Sequence, residues 1–309
     1  MPMISIIFML AAHNIQRSPL MSLKEVYMKA VPIGLAATIL LFIFAMIPSL
    51  SKLVAVLGWP GLVTIALVAI SLPSAISYHR ITKENSAAEE ALPSFLRDVT
   101  EARKIGLSPE KSIIHAAKRK NYGLFSKFLE LIRGQIEWGV PLRKIFENIR
   151  LKLRSWKALI NLMIMIETIE IGGGPSHALE ILTEYCEKER EVEINKRALL
   201  KPYIILSFVW SILIALTTTI VAITIYVLTQ LTIPNISPSM LSSLQQQIGI
   251  FSIGIIVQCW ISGFFVGKIS EGTFAAGFKY SAMLAITAYI SLVLAQNFLW
   301  GAYGMAPPT

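Results

Sequence analysis

The sequence predicts an all-α polytopic membrane protein with five transmembrane helices and a cytoplasmic six-helix bundle. Two observations predict this class. Hydrophobic residues make up 54% of the 309 residues and charged residues only 15%, and the mean hydropathy of +0.62 is far above that of a soluble domain. The charges are also segregated, because four windows contain no Asp, Glu, Lys or Arg: Ala30–Ser51, Leu53–Tyr78, Pro202–Gly267 and Tyr280–Thr309.

The positions of the spans follow from these windows, since about 20 apolar residues are needed to cross roughly 30 Å of hydrocarbon. The third window is too long for one helix, and Pro234, Asn235 and Pro238 mark a polar loop that divides it. Transmembrane helices are therefore predicted near 30–48, 57–77, 203–230, 248–267 and 280–300.

Basic residues in the short flanks of the spans predict the orientation. They precede the first and third spans, follow the second and occupy the loop between the fourth and fifth: Arg17, Lys24, Lys29, Arg80, Lys83, Arg197, Lys201, Lys268 and Lys279. Only Lys52 falls on the other side. The N-terminus and residues 78–201 are thus expected in the cytoplasm, and the C-terminus on the outer side of the cell membrane.

Four regions result: an N-terminal cytoplasmic or interfacial helix (1–29), two spans (30–77), the bundle (78–201) and three further spans (202–309). Within the first region, the apolar run Met3–Ala12 is too short to span a bilayer. It forms either an interfacial helix or the remnant of a longer span. A cleavable signal peptide is not expected, because no basic residue precedes the run.

Two local features belong to this topology. Cys186 and Cys259 fall in different compartments, so no disulfide is expected. Asn235-Ile236-Ser237 has the form of an N-glycosylation acceptor in the predicted external loop, and glycosylation and a chance match both stay open.

The bundle carries nearly all the polar residues, 22 Lys or Arg and 17 Asp or Glu within 78–201. Apolar residues recur there at helical spacing, and Gly106, Gly123 and Gly139 stand at helix ends. Ser108-Pro109-Glu110 is typical of a helix start, with a capping serine and proline in the first turn. Six helices are predicted at 86–105, 109–120, 122–137, 141–153, 156–171 and 175–201.

Gly172-Gly173-Gly174 raises the question of a phosphate-binding loop. Such a loop needs glycines between a strand and a helix, with a lysine beside them. These three glycines follow a predicted helix and precede Pro175, so the sequence favours a corner in which glycine supplies the left-handed conformation.

Enzyme chemistry is not expected, and neither is a metal or another cofactor. None of the four histidines, His13, His79, His115 and His177, has a second histidine or cysteine at metal-ligand spacing. Glu167 and Glu170 share a helical face, and roles in salt bridges or at the surface are favoured for them over catalysis.

The predicted spans contain no ionisable residue, although such residues usually mark the path of a pump or an ion-coupled carrier. Gln258, Gln296 and Thr217–Thr219 offer hydrogen bonds between helices, and Gly249, Gly254 and Gly263 permit close packing. Helix packing and a path for a neutral solute both stay open as roles for these residues.

Three stretches of the bundle together resemble the type II secretion system F family. IGLSPEKSIIHAA (105–117) is similar to its first Gly-Leu-Ser turn, which begins at Gly106, and GQIEWGVPLRKIFENI (134–149) is similar to its second turn, at Gly139. Residues 166–204 resemble the closing signature of the family. Glu170, Gly172 and Leu179 match that signature, and Gly173 and Gly174 complete the corner.

The arrangement of spans resembles the C-terminal half of the archaeal branch, the platform proteins of archaella and archaeal pili. Platform proteins of that branch usually carry two cytoplasmic domains, and this chain has one. A homodimer, a pairing with a sister protein and a shortened member of the family all stay open.

The resemblance implies a platform that couples a cytoplasmic secretion ATPase to the insertion or extraction of pilin-like subunits at the lipid bilayer, without a nucleic-acid partner. The alternatives are a transporter or channel with a regulatory bundle and, as a third class, a membrane enzyme. Contact with the ATPase, contact with anionic lipid and plain solvation all stay open for the basic clusters of the bundle: Lys118, Arg119, Lys120, Arg143, Lys144, Arg150, Lys152 and Arg154.

Overall fold

The computed structural model describes residue 7 and residues 26–45, 51–119, 121–153, 155–232 and 238–302. In these ranges all regular elements are helical. The α-helices are α1 (Val31–Ala45), α2 (Ser51–Lys104), α3 (Pro109–Ala117), α4 (Ser126–Glu137), α5 (Leu142–Arg150), α6 (Trp156–Gly172), α7 (Ser176–Thr232), α8 (Pro238–Glu271) and α9 (Phe274–Ala302). A π-helical turn, Val26–Ala30, precedes α1, and a 3₁₀ turn, Gly123–Phe125, precedes α4. Lys120, Arg154 and Asn235 lie outside the described residues, as does the run Met3–Ala12 apart from Ile7.

Beyond the first 22 residues, the chain divides into two compact units. The membrane unit comprises Leu23–Tyr78 and Leu200–Thr309, and the bundle comprises His79–Leu199. Helices α2 and α7 each contribute residues to both units.

Among the described residues, four helical segments are long and apolar enough to cross a membrane: Leu57–Lys104, Ser176–Thr232, Gln246–Glu271 and Phe274–Leu299. They contain the predicted spans 57–77, 203–230, 248–267 and, but for its last residue, 280–300. The first predicted span, 30–48, corresponds to the apolar helix α1, and its last three residues lie outside the described part of the chain. The protein is an all-α, multi-pass membrane protein.

The helices differ from the predicted ones in length. The predicted helix 175–201 and span 203–230 form the single helix α7, which continues through Pro202 although an internal proline removes one backbone hydrogen bond. Helix α2 likewise joins a span to the first bundle helix, with a break at Gly58, whose φ of 65° is not helical. Helices α3 and α5 end three residues before their predicted ends, because the chain turns at Lys118 and Leu151.

The core of the bundle is built from large apolar side chains. Phe95 of α2 is fully buried, and its ring makes T-shaped contacts with the rings of Tyr122 and Phe125, with centroids 5.9 and 6.4 Å apart. Helix α5 turns Leu142, Ile145 and Ile149 inward. Burial of these side chains is the main stabilising contribution in a water-exposed unit.

The membrane unit instead uses close contact between helix backbones. A Cβ atom on Gly263 of α8 would lie 2.2 Å from the Cα of Ser281 on α9, and one on Gly267 would lie 2.3 Å from the backbone nitrogen of Gly277. A Cβ atom on Gly249 or Gly254 would meet no described atom within 4 Å. Of the three glycines singled out in the sequence, only Gly263 therefore lies at such a contact.

Polar side chains also connect the helices of the membrane unit. The indole N–H of Trp260 donates to the Ser71 hydroxyl at 2.9 Å. Glu271, at the end of α8, accepts hydrogen bonds from Tyr78 at 2.9 Å and from Tyr280 at 3.0 Å. Thr217 and Thr219, which the sequence offered for contacts between helices, donate to carbonyls of their own helix instead, as threonine often does in apolar helices.

Candidate functional site

The first signature turn connects α2 to α3. Gly106 has a φ of 88°, a left-handed conformation that a side chain would strain. The Ser108 hydroxyl accepts the backbone N–H of Lys111 at 3.4 Å, and Pro109 occupies the first turn of α3. The turn is therefore specified by residues that are neighbours in the sequence.

The second turn, at Gly139-Val140-Pro141, leads into α5. Pro141 is the N-cap and offers no side-chain acceptor to the free N–H groups of the helix. The Glu170 carboxylate, which belongs to α6, accepts the backbone N–H of Arg143 at 3.1 Å. Glu170 thus caps α5 from a distant position in the sequence, where the helix dipole favours a negative charge.

The third turn contains Gly172, Gly173 and Gly174. Helix α6 ends at Gly172, and Gly173 and Gly174 have φ values of 68° and 65°. The backbone N–H groups of Gly173 and Gly174 both donate to the carbonyl of Thr168, at 3.2 Å for Gly174. These amides are used inside the chain and do not face a ligand, so the glycines form a helix corner.

Arg103, at the end of α2, joins the first turn to the third. Its guanidinium donates to the carbonyls of Gly174 at 2.8 Å and Gly173 at 2.9 Å, and also to the carbonyl of Leu107. Only arginine has a rigid fork of donors that can serve three such acceptors together. Sequence reasoning missed Arg103, because a basic residue in the last turn of a helix is common.

The signature residues therefore meet in one joint, in which three turns are connected by Arg103 and Glu170. Leu179, the next signature residue, is 1% exposed and packs in the bundle core. The joint fixes the ends of α2, α5 and α6 relative to one another within the bundle.

The basic residues divide by their partners. Arg119 pairs with Asp98, which also accepts a hydrogen bond from Tyr122. Burial, followed by this hydrogen bond to Asp98, raises the pKa of Tyr122 above its usual range. Arg143 lies 4.0 Å from Glu167. Among the described members of the basic clusters singled out in the sequence, Lys118, Lys144, Arg150 and Lys152 are exposed and make no ion pair with a described residue.

Helix ends distinguish these four residues further. Lys118 is the C-cap of α3 and Arg150 lies in the last turn of α5, where a positive charge stabilises the helix. Lys144 lies in the first turn of α5, where the dipole opposes it. Lys144 therefore has no evident stabilising role within its own helix, and it makes no ion pair with a described residue.

The described residues also contain no group of three or more His, Cys, Asp or Glu side chains that could hold a metal ion. Glu167 and Glu170, the carboxylate pair noted in the sequence, belong to α6. Both carboxylates contact Arg143 in the first turn of α5.

Residues 95–222 match the family model described as "Type II secretion system (T2SS), protein F". The chain carries a type II secretion system protein F domain. The match covers the joint, the basic residues of α3 and α5 and the first part of the apolar segment of α7. The similarity to the F family suggested by the three motifs is thereby confirmed.

A curated relative is an uncharacterized protein of Methanocaldococcus jannaschii, 24% identical over 217 residues. The alignment covers 69% of this chain but only 35% of that protein, so the chain spans about a third of the relative's length. No solved structure matches the chain.

Proposed function

We propose that the protein is a non-catalytic membrane platform of a type IV pilus-like assembly machine, which couples a cytoplasmic secretion ATPase to the movement of pilin-like subunits. The observation that carries the proposal is the F-domain match, which runs from the bundle into an apolar helix. The archaeal origin of the relative supports a place in the archaellum and archaeal pilus branch.

The proposed orientation places the bundle and the N-terminus in the cytoplasm and the C-terminus outside. Its support is the basic flanks of the spans. The bundle would then meet the ATPase, and the apolar faces of the membrane unit would meet the hydrophobic helix of a pilin. Helix α7 exposes Leu206, Trp210 and Leu213 on such a face.

Lys144 is the basic residue that we place at the centre of the ATPase contact. It is exposed and unpaired, and its position at the start of α5 costs helix stability. Lys152 is exposed and unpaired as well, two residues beyond the end of α5. Such charges steer and orient an acidic partner surface.

The test uses the full-length protein in nanodiscs and the host's secretion ATPase at physiological salt. Lys144→Glu should weaken binding of the ATPase about tenfold, the effect of losing one well-placed charge pair. Lys127→Glu is the matched control, because Lys127 is an exposed, unpaired lysine in the first turn of another helix, α4. Both changes should leave the bundle folded.

Neutral and anionic nanodiscs separate the ATPase from lipid as the partner of Lys144. Weaker ATPase binding by the Lys144→Glu variant than by the wild-type chain in neutral nanodiscs, where no anionic lipid is present, supports the platform proposal. Unchanged ATPase binding by the Lys144→Glu variant, or no binding by the wild-type chain, contradicts it.

For the pilin, a photo-crosslinker at Trp210 should capture a pilin helix in assembling cells, whereas one at the buried Ala215 should not. Failure at Trp210 counts against that contact.

A further inference from the structure

Helix α7 carries a row of large apolar side chains along one face of its bundle part, residues 176–199. Tyr185, Val192 and Leu199 recur at seven-residue spacing, and Ile181 lies one turn before the first of them. With 3.6 residues per turn, the four positions fall within an arc of about 40° on the helix surface. All four side chains are exposed, Val192 at 67% and Leu199 at 73%. We call these four residues the α7 stripe.

The fold of the bundle does not explain the α7 stripe. The residues that α7 contributes to the core lie on another face, and they include Leu179, Leu182 and Cys186. Single exposed apolar residues are common on protein surfaces, but a continuous row of them marks an interaction site. Lipid is a poor occupant, because Glu184 and Glu191 flank the row and an anionic membrane surface repels them. The row therefore fits a protein partner.

The spacing of the α7 stripe is that of a coiled-coil seam. Such a seam alternates positions a and d, three and four residues apart, which face the partner helix. Over residues 181–199 the a positions are Tyr185, Val192 and Leu199, and the d positions are Ile181, Lys188 and Asn195. All six side chains are exposed. This face of α7 therefore has the pattern of one helix of a coiled coil, and a second helix is needed to cover it.

The two polar positions of the seam are compatible with a partner helix. Lys188 donates to Glu184 at 2.7 Å, so its charge is balanced within the chain and its alkyl part can cover apolar surface. Asn195 places an amide in the seam, and two such amides can hydrogen-bond to each other between the helices. A polar residue at such a position costs stability but fixes the register of the two helices.

The charges beside the seam match a second copy of the same chain. Two copies inserted into the membrane in the same way are related by rotation about an axis normal to it, so their α7 helices run parallel. In a parallel coiled coil, the residue before an a position faces the residue after the next d position of the other helix. These residues are Glu191 and Lys196, which have opposite charges, are exposed and make no ion pair with a described residue.

One heptad earlier, the same rule places two glutamates across from each other, Glu184 and Glu189. Lys188 already balances the first at 2.7 Å, and Lys157 lies 3.7 Å from the second. Repulsion between the two glutamates is thereby reduced. The Glu191 and Lys196 side chains are thus the charged pair that favours a second copy in parallel orientation.

We propose that two copies of the chain dimerise through the α7 stripe, as a parallel coiled coil of their α7 helices over residues 181–199. This inference goes beyond the platform proposal and does not depend on it. The next d position is Pro202, and proline is disfavoured inside a coiled coil. The seam therefore ends there, and the apolar face at Leu206, Trp210 and Leu213 lies outside it.

The first test is a cysteine crosslink of the full-length chain in its native membrane. Val192→Cys and Leu199→Cys place thiols at a positions, which meet the same position of the second copy and form a disulfide on mild oxidation. Ile194→Cys is the matched control, because Ile194 is an exposed aliphatic residue two positions from Val192 and on a different face of α7. The two native cysteines are buried.

A crosslinked product with twice the mass of the chain at both seam positions, at least tenfold weaker at Ile194, supports the dimer. Equal crosslinking at Ile194, absence of the product at Val192 and Leu199, or a crosslink to a different protein overturns it. The three changes are at exposed positions, so the bundle should stay folded.

Charge reversal tests the parallel pairing. Glu191→Lys and Lys196→Glu each place like charges across the seam and should raise the dissociation constant of the dimer about tenfold. Energy transfer between labelled copies of the full-length protein in detergent measures this constant. The double variant restores opposite charges and should return to within about twofold of the wild type. Glu130→Lys, at an exposed glutamate of α4, is the control. A double variant as weak as either single one overturns the pairing.

Discussion

The bundle and the membrane unit are both helical, yet they are stabilised in different ways. The bundle buries phenylalanine, leucine and isoleucine side chains between short helices whose ends are capped. The membrane unit brings backbones together at Gly263, Gly267 and Gly277 and leaves many large apolar side chains exposed. Lipid is as apolar as leucine, so burial of such a side chain stabilises little inside a membrane, and close contact does more.

The two units also carry separate reporters of their own unfolding. Cys186 lies buried in the bundle and Cys259 lies buried in the membrane unit, and both are free thiols. Burial, with the charges of Glu189 and Glu187, raises the pKa of Cys186 to about 12, so it reacts only when its surroundings open. Alkylation followed by mass spectrometry therefore measures the stability of each unit.

The largest effect is expected for Phe95→Ala in the bundle. Phe95 is fully buried against two aromatic rings, and its removal should cost about 3–5 kcal/mol in the free energy of unfolding. Alkylation of Cys186 should become faster, with Cys259 unchanged. Phe251→Ala, at a phenylalanine of α8 that is 60% exposed, is the control. Equal effects of the two changes would break the comparison between the units.

A smaller effect is expected for Gly267→Ala in the membrane unit. The added methyl group would lie 2.3 Å from the backbone of α9, and the helices must separate, at a cost of about 1–3 kcal/mol. Alkylation of Cys259 should become faster. The same substitution at Gly254, where the space is open, should leave it unchanged. If Gly254→Ala is as harmful as Gly267→Ala, close contact is not what holds α8 to α9.

The smallest effect is expected for Arg103→Lys, which keeps the charge but loses the fork of donors. Two of the three carbonyls at the joint lose their partner, which should cost about 1.5 kcal/mol and speed alkylation of Cys186. Arg97→Lys is the control, since Arg97 pairs with Glu187 at the surface. A null result for Arg103→Lys would show that the three turns hold without their connection.

The sequence predicted the features of the fold that neighbouring residues determine. The chargeless windows gave the apolar helices, and Ser108 with Pro109 gave the start of α3. The capping of α5 could not be predicted, because its acceptor, Glu170, is 27 positions from Arg143. The link from Arg103 to Gly173 and Gly174 spans about 70 positions, and no local pattern encodes it.

The continuity of α7 agrees with one sequence expectation and differs from another. The charged helix was expected to lead into the third span through Lys201-Pro202, although the predicted bounds, 175–201 and 203–230, divided the two at that proline. The helix runs unbroken from Ser176 to Thr232.

The three consecutive glycines of the corner do not have equal freedom to vary. Gly173 and Gly174 have positive φ values, so a side chain at either position strains the backbone. Gly172 is the last helical residue, and a methyl group there would meet only Pro175, at an ordinary 3.5 Å. Alanine is the better helix former at such a position. For protein engineering, Gly172 is thus the position of this corner that accepts a new side chain, including a label, without strain in the backbone.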